Sequence, residues 1–382
     1  MRILQISSAR TFGGGERHLA DLARALSERG HELFAALAPS SPLRDRLASL
    51  HPANVFTLPL RGALDLASAA RLARLAREHD VAIIHAHVAR DYTLAALAAR
   101  LVPPARLVIT RHVLFPLSRV HRRTLSNVAR VIAVSEPVAR ALRGQRIFPA
   151  DKIRVVTNAV DLSRFEEARA RFDEARTHFE GAARDDSQRP LCVGIVGELS
   201  EVKGQADFVR AAARVAERFG EGVEFVIVGE DASPSGENRA RVERLVAESG
   251  LAGRVSLTGR RDDVADLLAS LDLLVSASRT EAFGMAMVEA MACGVPVVAT
   301  ATEGAREIVA DGLTGSIVPI GDVRALAAAI ISLLEDDARR RELGARARES
   351  ARARFGLERM VEATERVYAE ALGQAGGPQD FS

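Results

Sequence analysis

The chain has 382 residues, 48% of them hydrophobic and 27% charged, a length and balance that suit two packed domains and exclude wholesale disorder. Its net charge of +2 conceals an asymmetry: residues 1–165 carry 25 basic and 12 acidic side chains, out of totals of 52 and 50, so the remainder is acidic. An aromatic fraction of 4% with no Trp leaves no base-stacking platform and argues against nucleic acid as a partner.

In the first half, seven short apolar runs read as buried strands: Ile3–Ile6, Leu33–Leu37, Val55–Leu58, Val81–Ile84, Leu107–Ile109, Val131–Val134 and Ile153–Val156. Amphipathic stretches separate several of them. One runs from Glu16 to Arg29, with Leu19, Leu22, Ala23 and Leu26 on one face and Gly30 as its stop. The second half repeats the alternation, with strands at Cys192–Val196, Glu224–Val228, Val255–Leu257, Leu273–Val275 and Val297–Ala299. Helices are predicted near 204–218, 236–249 and 283–292, and consecutive helices over 322–372. Near-continuous apolar strands alternating with helices predict parallel sheets covered on both faces. The expected division is an N-terminal Rossmann-like domain over 1–165, a linker over 166–190 in which a helical piece is allowed, and a C-terminal domain over 191–355. A helix over 356–372 would cross back to the first domain, followed by a disordered tail over 373–382.

Cys192 and Cys293 lie far apart without metal-ligand spacing, which predicts a reducing, cytoplasmic setting. The opening Met1–Ser7 turns polar too quickly for a signal peptide, and no run approaches the ~18 apolar residues of a membrane span. The basic first half admits two readings. It is the partner of the acidic second half, or it offers a face to an anionic membrane or acceptor, on the inner surface of the cell membrane.

Two segments carry chemistry. Phe12-Gly13-Gly14-Gly15-Glu16 follows the first strand and opens a helix, so a ligand phosphate can approach the backbone closely; a tight structural turn is the competing reading. It is not the dinucleotide fingerprint, which argues against a dehydrogenase. The stronger segment runs from Ser278 to Ala290. Glu281 in the loop and Glu289 in the helix can both address a ligand whose phosphate sits on the amides of Phe283, Gly284 and Met285. A carboxylate at each side suits a ligand with phosphate in the middle and hydroxyls at both ends, such as a nucleotide sugar.

Glu281-x7-Glu289, followed by Gly294 and Pro296, resembles the E-x7-E motif of the retaining GT-B glycosyltransferases of family 4. The likeness extends along the chain through Gly13–Glu16, Ile84–His87, Thr110–His112, Val131–Glu136, Val156–Asp161, Val196–Gly204, Gly304–Val309 and Asp311–Gly315. It implies a GT-B fold of two facing Rossmann-like domains with parallel sheets and a central cleft. It also implies roles. Glu289 would hold the donor ribose, Glu281 the transferred sugar, and Lys203, one of only two lysines, the diphosphate. Gly14 and Gly15 would approach the phosphates from the other domain, and His112 would face the sugar. The reaction implied is transfer of a hexose-type sugar from a nucleoside diphosphate sugar, a UDP-sugar favoured, to a hydroxyl. Attack on the front face would retain the anomeric configuration, and no cofactor or metal is required for catalysis. The acceptor implied is a lipid-linked, lipopolysaccharide or other cell-envelope glycan, bound on the basic half, where Arg119, Arg122 and Arg123 flank His121.

Two residues depart from the family pattern. Glu198 stands where a phosphate-binding Arg is usual, with Arg111, Arg260 and Arg261 as candidate substitutes, and Ala159 stands where Gly is usual. A pyridoxal-dependent phosphorylase would need a buried Schiff-base lysine. A sugar-nucleotide epimerase or a non-catalytic sugar-nucleotide-binding protein shares the architecture. Product analysis without acceptor separates the former, and turnover assays on Glu281→Ala the latter.

Overall fold

The computed structural model describes residues 1–180, 189–233 and 235–374. Contacts divide the chain into Met1–Ala159 with Leu357–Ser382, and Val160–Gly356.

The first unit holds β1 (Arg2–Ser7), β2 (Glu32–Leu37), β3 (Val55–Thr57), β4 (Ile83–Ala86), β5 (Arg106–Arg111), β6 (Val128–Ala133) and β7 (Ile153–Val155). Every neighbouring pair is parallel, in the order β3-β2-β1-β4-β5-β6-β7. Five of the six residues in both β1 and β2 are buried, as helices on both faces require. The Gly14–Glu28 helix buries Leu19, Leu22, Ala23 and Leu26, the face its periodicity predicts. The Leu357–Ala371 helix completes this core with Met360, Val361, Val367 and Tyr368. Its acidic side answers the basic sheet. Glu365 meets Arg29 at 2.9 Å and His31 at 2.8 Å, and Glu370 meets Arg130 at 2.9 Å and Arg154 at 2.7 Å.

The second unit holds β8 (Leu191–Val196), β9 (Val223–Val228), β10 (Val255–Gly259), β11 (Leu273–Ser276), β12 (Val297–Thr300) and β13 (Gly315–Val318). They form a parallel sheet in the order β10-β9-β8-β11-β12-β13. β13 adds to the predicted strands. It opens on Gly315, where a side chain would strike the Val297 carbonyl of β12.

The helical piece allowed within 166–190 is present, and it packs as part of the second unit rather than as a free linker. Leu162–Glu180 is a helix whose Phe165 and Ala168 are buried with Leu268, Met287 and Met291 of the second unit. Arg171 pairs with Asp266 at 2.6 Å along its flank. Phe165, Ala168 and Phe172 sit at i, i+3 and i+7, an apolar stripe masked by the charged residues around it. The boundary therefore falls after Ala159 rather than after residue 165. Residues 181–188 of that stretch, and 375–382 of the predicted disordered tail, lie outside the described residues.

Candidate functional site

In both sheets the strand order reverses beside the first strand, between β1 and β4 and between β8 and β11. Doubly wound sheets bind ligands at the carboxyl ends of strands around such a reversal.

At the reversal in the second unit, β8 runs into Gly197–Gly204. Gly204 has φ +72°, and a side chain there would strike the Ala277 carbonyl oxygen, so the loop lies directly on the end of β11. That contact fixes Lys203, whose Nζ donates to Glu281 Oε2 at 2.7 Å. Ser278 Oγ donates to the same carboxylate oxygen at 3.3 Å, and the Thr300 hydroxyl holds the Ser278 carbonyl at 2.5 Å. Beneath the loop, the Gly304 amide donates to the Glu281 carbonyl at 3.1 Å. A Cβ on Gly304 would come within 2.8 Å of that carbonyl and 2.9 Å of the Phe283 nitrogen. Phe283 is buried against Phe355, and Gly284, at φ +114°, turns the chain into the Met285–Ala292 helix. Glu289 lies within that helix and is buried.

The second unit therefore gathers a cation, a carboxylate and the start of a helix, whose first amides have no partner within the helix. The Lys203 ammonium offsets the charge of Glu281, so a phosphate can approach a loop that carries a carboxylate. Of the predicted residues, Lys203, Glu281, Phe283, Gly284 and Met285 are brought together, with Glu289 further along the helix. Arg261 is not in this group. It follows β10, two strands from β8, and its Nε donates to Asp263 at 2.7 Å. Arg111 is buried in the first unit, where it donates to the Phe115 carbonyl. The Glu198 side chain is exposed, while its carbonyl accepts from Gln205 at 2.9 Å.

At the reversal in the first unit, the Gly13 amide donates to the Glu16 carboxylate at 2.9 Å, and Gly14 opens the helix. Gly15 faces His112, and a Cβ there would meet the ring at 3.4 Å. His112 follows β5, His85 and His87 come from the end of β4, and His18 reaches in from the first helix. Ring centroids of His18 and His112 are 4.9 Å apart, those of His87 and His112 5.8 Å, and those of His18 and His87 5.9 Å. His85 lies between Tyr368 Oη and Thr110 Oγ1, each at 2.7 Å. Burial pushes His18 down to about 4 and His85 to about 3, and holds His87 and His112 well below 6.5. All four imidazoles are therefore neutral at pH 7. Nearby, buried Asp91 accepts from the Ser8 amide at 2.7 Å, and burial pushes its carboxyl up to about 6. Of this cluster, only His112 is among the site residues expected from the sequence. The landmark His85-Ala-His87 marks two more, but nothing in the sequence joins His18, Gln5 and Tyr368 to them.

One surface of the first unit combines exposed apolar and basic side chains. Phe115 and Val120 are 67% and 66% exposed, beside exposed Arg119, Arg122 and Arg123. Among the described residues, no helix is long and apolar enough to cross a membrane.

Comparison with known proteins agrees with this geometry. Residues 12–164 match the model of Glycosyltransferase Family 4, and residues 182–350 that of Glycosyl transferases group 1. A phosphatidyl-myo-inositol mannosyltransferase of Mycolicibacterium smegmatis is 30% identical over 88% of this chain and 85% of its own length. An N-acetyl-alpha-D-glucosaminyl L-malate synthase of Bacillus anthracis is 28% identical over 95% of both chains. A lipopolysaccharide core biosynthesis glycosyltransferase of Rhizobium meliloti is 28% identical over 92% of this chain and 94% of its own. The crystal structure of Anabaena HepE in complex with UDP and glucose shares the fold, with a TM-score of 0.81 at 24% identity, covering 96% of this chain and 98% of that one. With both halves matched in order and a relative this similar along most of its length, the chain belongs to the group 1 glycosyltransferases of family 4 and is a GT-B glycosyltransferase.

Proposed function

We propose that this enzyme moves a hexose-type sugar from a nucleoside diphosphate sugar, with UDP the favoured nucleotide, to a hydroxyl with retention at the anomeric carbon. The observation that carries the reading is the 2.7 Å pair of Lys203 and Glu281 at the entry to the Met285–Ala292 helix. When donor binds, the diphosphate takes Lys203 as its counterion, and the Phe283, Gly284 and Met285 amides receive phosphate oxygens. Glu281 then accepts from hydroxyls of the transferred sugar and Glu289 from the ribose. In the first unit, Gly14, Gly15 and His112 are the residues assigned to donor contact. The bond from the anomeric carbon to the phosphate oxygen breaks, and the acceptor oxygen bonds to the same face. The departing phosphate oxygen takes the acceptor proton, and Lys203 stabilises the charge that grows there. The step as written needs no metal.

For the acceptor, we propose an anionic lipid-linked or lipopolysaccharide-type glycan presented at the inner face of the membrane. Exposed Phe115 and Val120 among Arg119, Arg122 and Arg123 support this, as do relatives named for phosphatidyl-myo-inositol and lipopolysaccharide core.

A thermal-shift panel of UDP-, GDP- and ADP-sugars tests the donor, with a rise expected for a UDP-sugar; no rise with any of them removes the reading. Proton NMR of the freshly formed product tests retention. Co-sedimentation with anionic vesicles should fall as salt rises, and salt-insensitive binding would count against the membrane face.

A further inference from the structure

We propose that His18, His87 and His112 form a binding site for one transition-metal ion of the zinc class, coordinated by three imidazoles with its fourth position open. One ring nitrogen from each of these three residues lies within 4.8 Å of the other two. Three imidazoles around a tetrahedral zinc, at Zn–N of about 2.0–2.1 Å, place their ring centroids about 5 Å apart. The observed separations of 4.9, 5.8 and 5.9 Å bracket that arrangement on the open side. Nitrogens on such a site are about 3.3 Å apart, so closure needs side-chain movement of an ångström or so, within reach of χ rotation.

The hydrogen bonding points the same way. His18 and His87 are 2% and 5% exposed, yet His18 Nδ1, His87 Nδ1 and both nitrogens of His112 have no protein partner. One buried unpaired nitrogen costs on the order of 1–3 kcal/mol, and several in one histidine cluster call for a shared occupant. His87 Nε2 donates to Gln5 Oε1 at 2.8 Å, which leaves the Nδ1 lone pair for a cation. A carbonyl behind a ligating imidazole is the usual outer support of a metal-bound histidine. Imidazole sets without thiolate or carboxylate suit zinc, copper, nickel and iron rather than magnesium or calcium. His112 is the least buried of the three, so the open position lies on its side of the cluster. Gly15 keeps that side free, since a side chain there would press on the His112 ring.

The test uses full-length, tag-free protein stripped with a chelator and titrated with Co2+ alone. One equivalent per chain should give the intense visible bands of a tetrahedral cobalt centre, displaced by Zn2+. Gln5→Ala should bind roughly 10- to 100-fold more weakly. His18→Ala and His87→Ala should lose the bands, and His51→Ala, remote from the cluster in sequence, should keep them. Absence of the bands in the unmutated protein, or their persistence in both His18→Ala and His87→Ala, overturns the proposal. Because a cluster variant can fail to fold, X-ray absorption on the unmutated zinc-loaded protein gives a second reading. Outer-shell scattering from three imidazoles is expected, and a first shell of carboxylates or fewer than two imidazoles overturns the site.

Discussion

The Lys203 ammonium lies 2.7 Å from the Glu281 carboxylate, although the two residues are 78 positions apart in the chain. They meet because Gly204 lets the loop after β8 rest on the end of β11. Donor binding on the proposed reading exchanges this partner for a diphosphate. Lys203→Ala should therefore lower kcat/KM for the donor by about 100-fold or more, the scale of one preorganised charge-stabilising contact. Lys203→Arg should recover part of it. Steady-state kinetics check this, and an unchanged kcat/KM in Lys203→Ala would remove Lys203 from the site.

Gly304→Ala should act on the same loop from beneath. Its new methyl would crowd the Glu281 carbonyl and the Phe283 nitrogen, so the loop must shift or the helix after it must yield. Overpacking of this kind costs about 1–3 kcal/mol. Both the melting temperature and kcat/KM should fall. Gly144→Ala is the contrast: it lies within the Glu136–Gln145 helix with nothing within 4 Å of the new methyl, and should gain about 0.5–1 kcal/mol. Equal effects of the two would contradict the packing described for Gly304.

Acidification should destabilise the first unit between pH 6.5 and about 4. The sign follows from the direction of the shifts. His18, at about 4 in the fold, and His85, at about 3, remain neutral where the unfolded chain has already taken up protons, and His87 and His112 behave alike. Each contributes a loss of up to about 1.4 kcal/mol per pH unit as pH falls. Asp91 opposes them. Raised from 3.8 to about 6, it holds its proton longer in the fold and loses stability as pH rises through the same window. Four imidazoles outweigh one carboxyl, so the urea midpoint should fall from pH 7 to pH 5. It should fall more steeply in Asp91→Asn. A flat or rising midpoint in the unmutated protein would contradict the burial of the cluster.

Tyr368→Phe should loosen the last helix. The Tyr368 hydroxyl is fully buried and bonded to His85 Nδ1 at 2.7 Å. Removing it leaves that nitrogen unpaired at a cost of about 1–3 kcal/mol. Hydrogen exchange across 357–371 reads it directly, with faster exchange expected there than in the β8–β13 sheet.

The strands were legible in the sequence because both sheets are covered on two faces, so most strands are near-continuous apolar runs such as Leu191–Val196. β13 was not, since Gly-Ser-Ile-Val reads as a turn until β12 is beside it. The sequence allows a helical piece within 166–190 but hides that the Leu162–Glu180 helix packs on the second unit, because its stripe is two phenylalanines and an alanine among charges. In the candidate site, Glu281, Glu289 and the Gly284 turn were readable as one continuous segment. The Lys203 partnership and the His18, His87 and His112 cluster were not. Arg261 was expected among the donor contacts, and in the fold its own neighbour Asp263 holds it.

By itself the sequence determined what is local: apolar runs that must be strands, glycines where only glycine can turn, and a carboxylate on either side of a helix start. The tertiary structure decided which distant residues share a charge or a neutral imidazole cluster. Strand order and loop packing set those distances, and no periodicity along the chain encodes which carboxyl ends lie side by side.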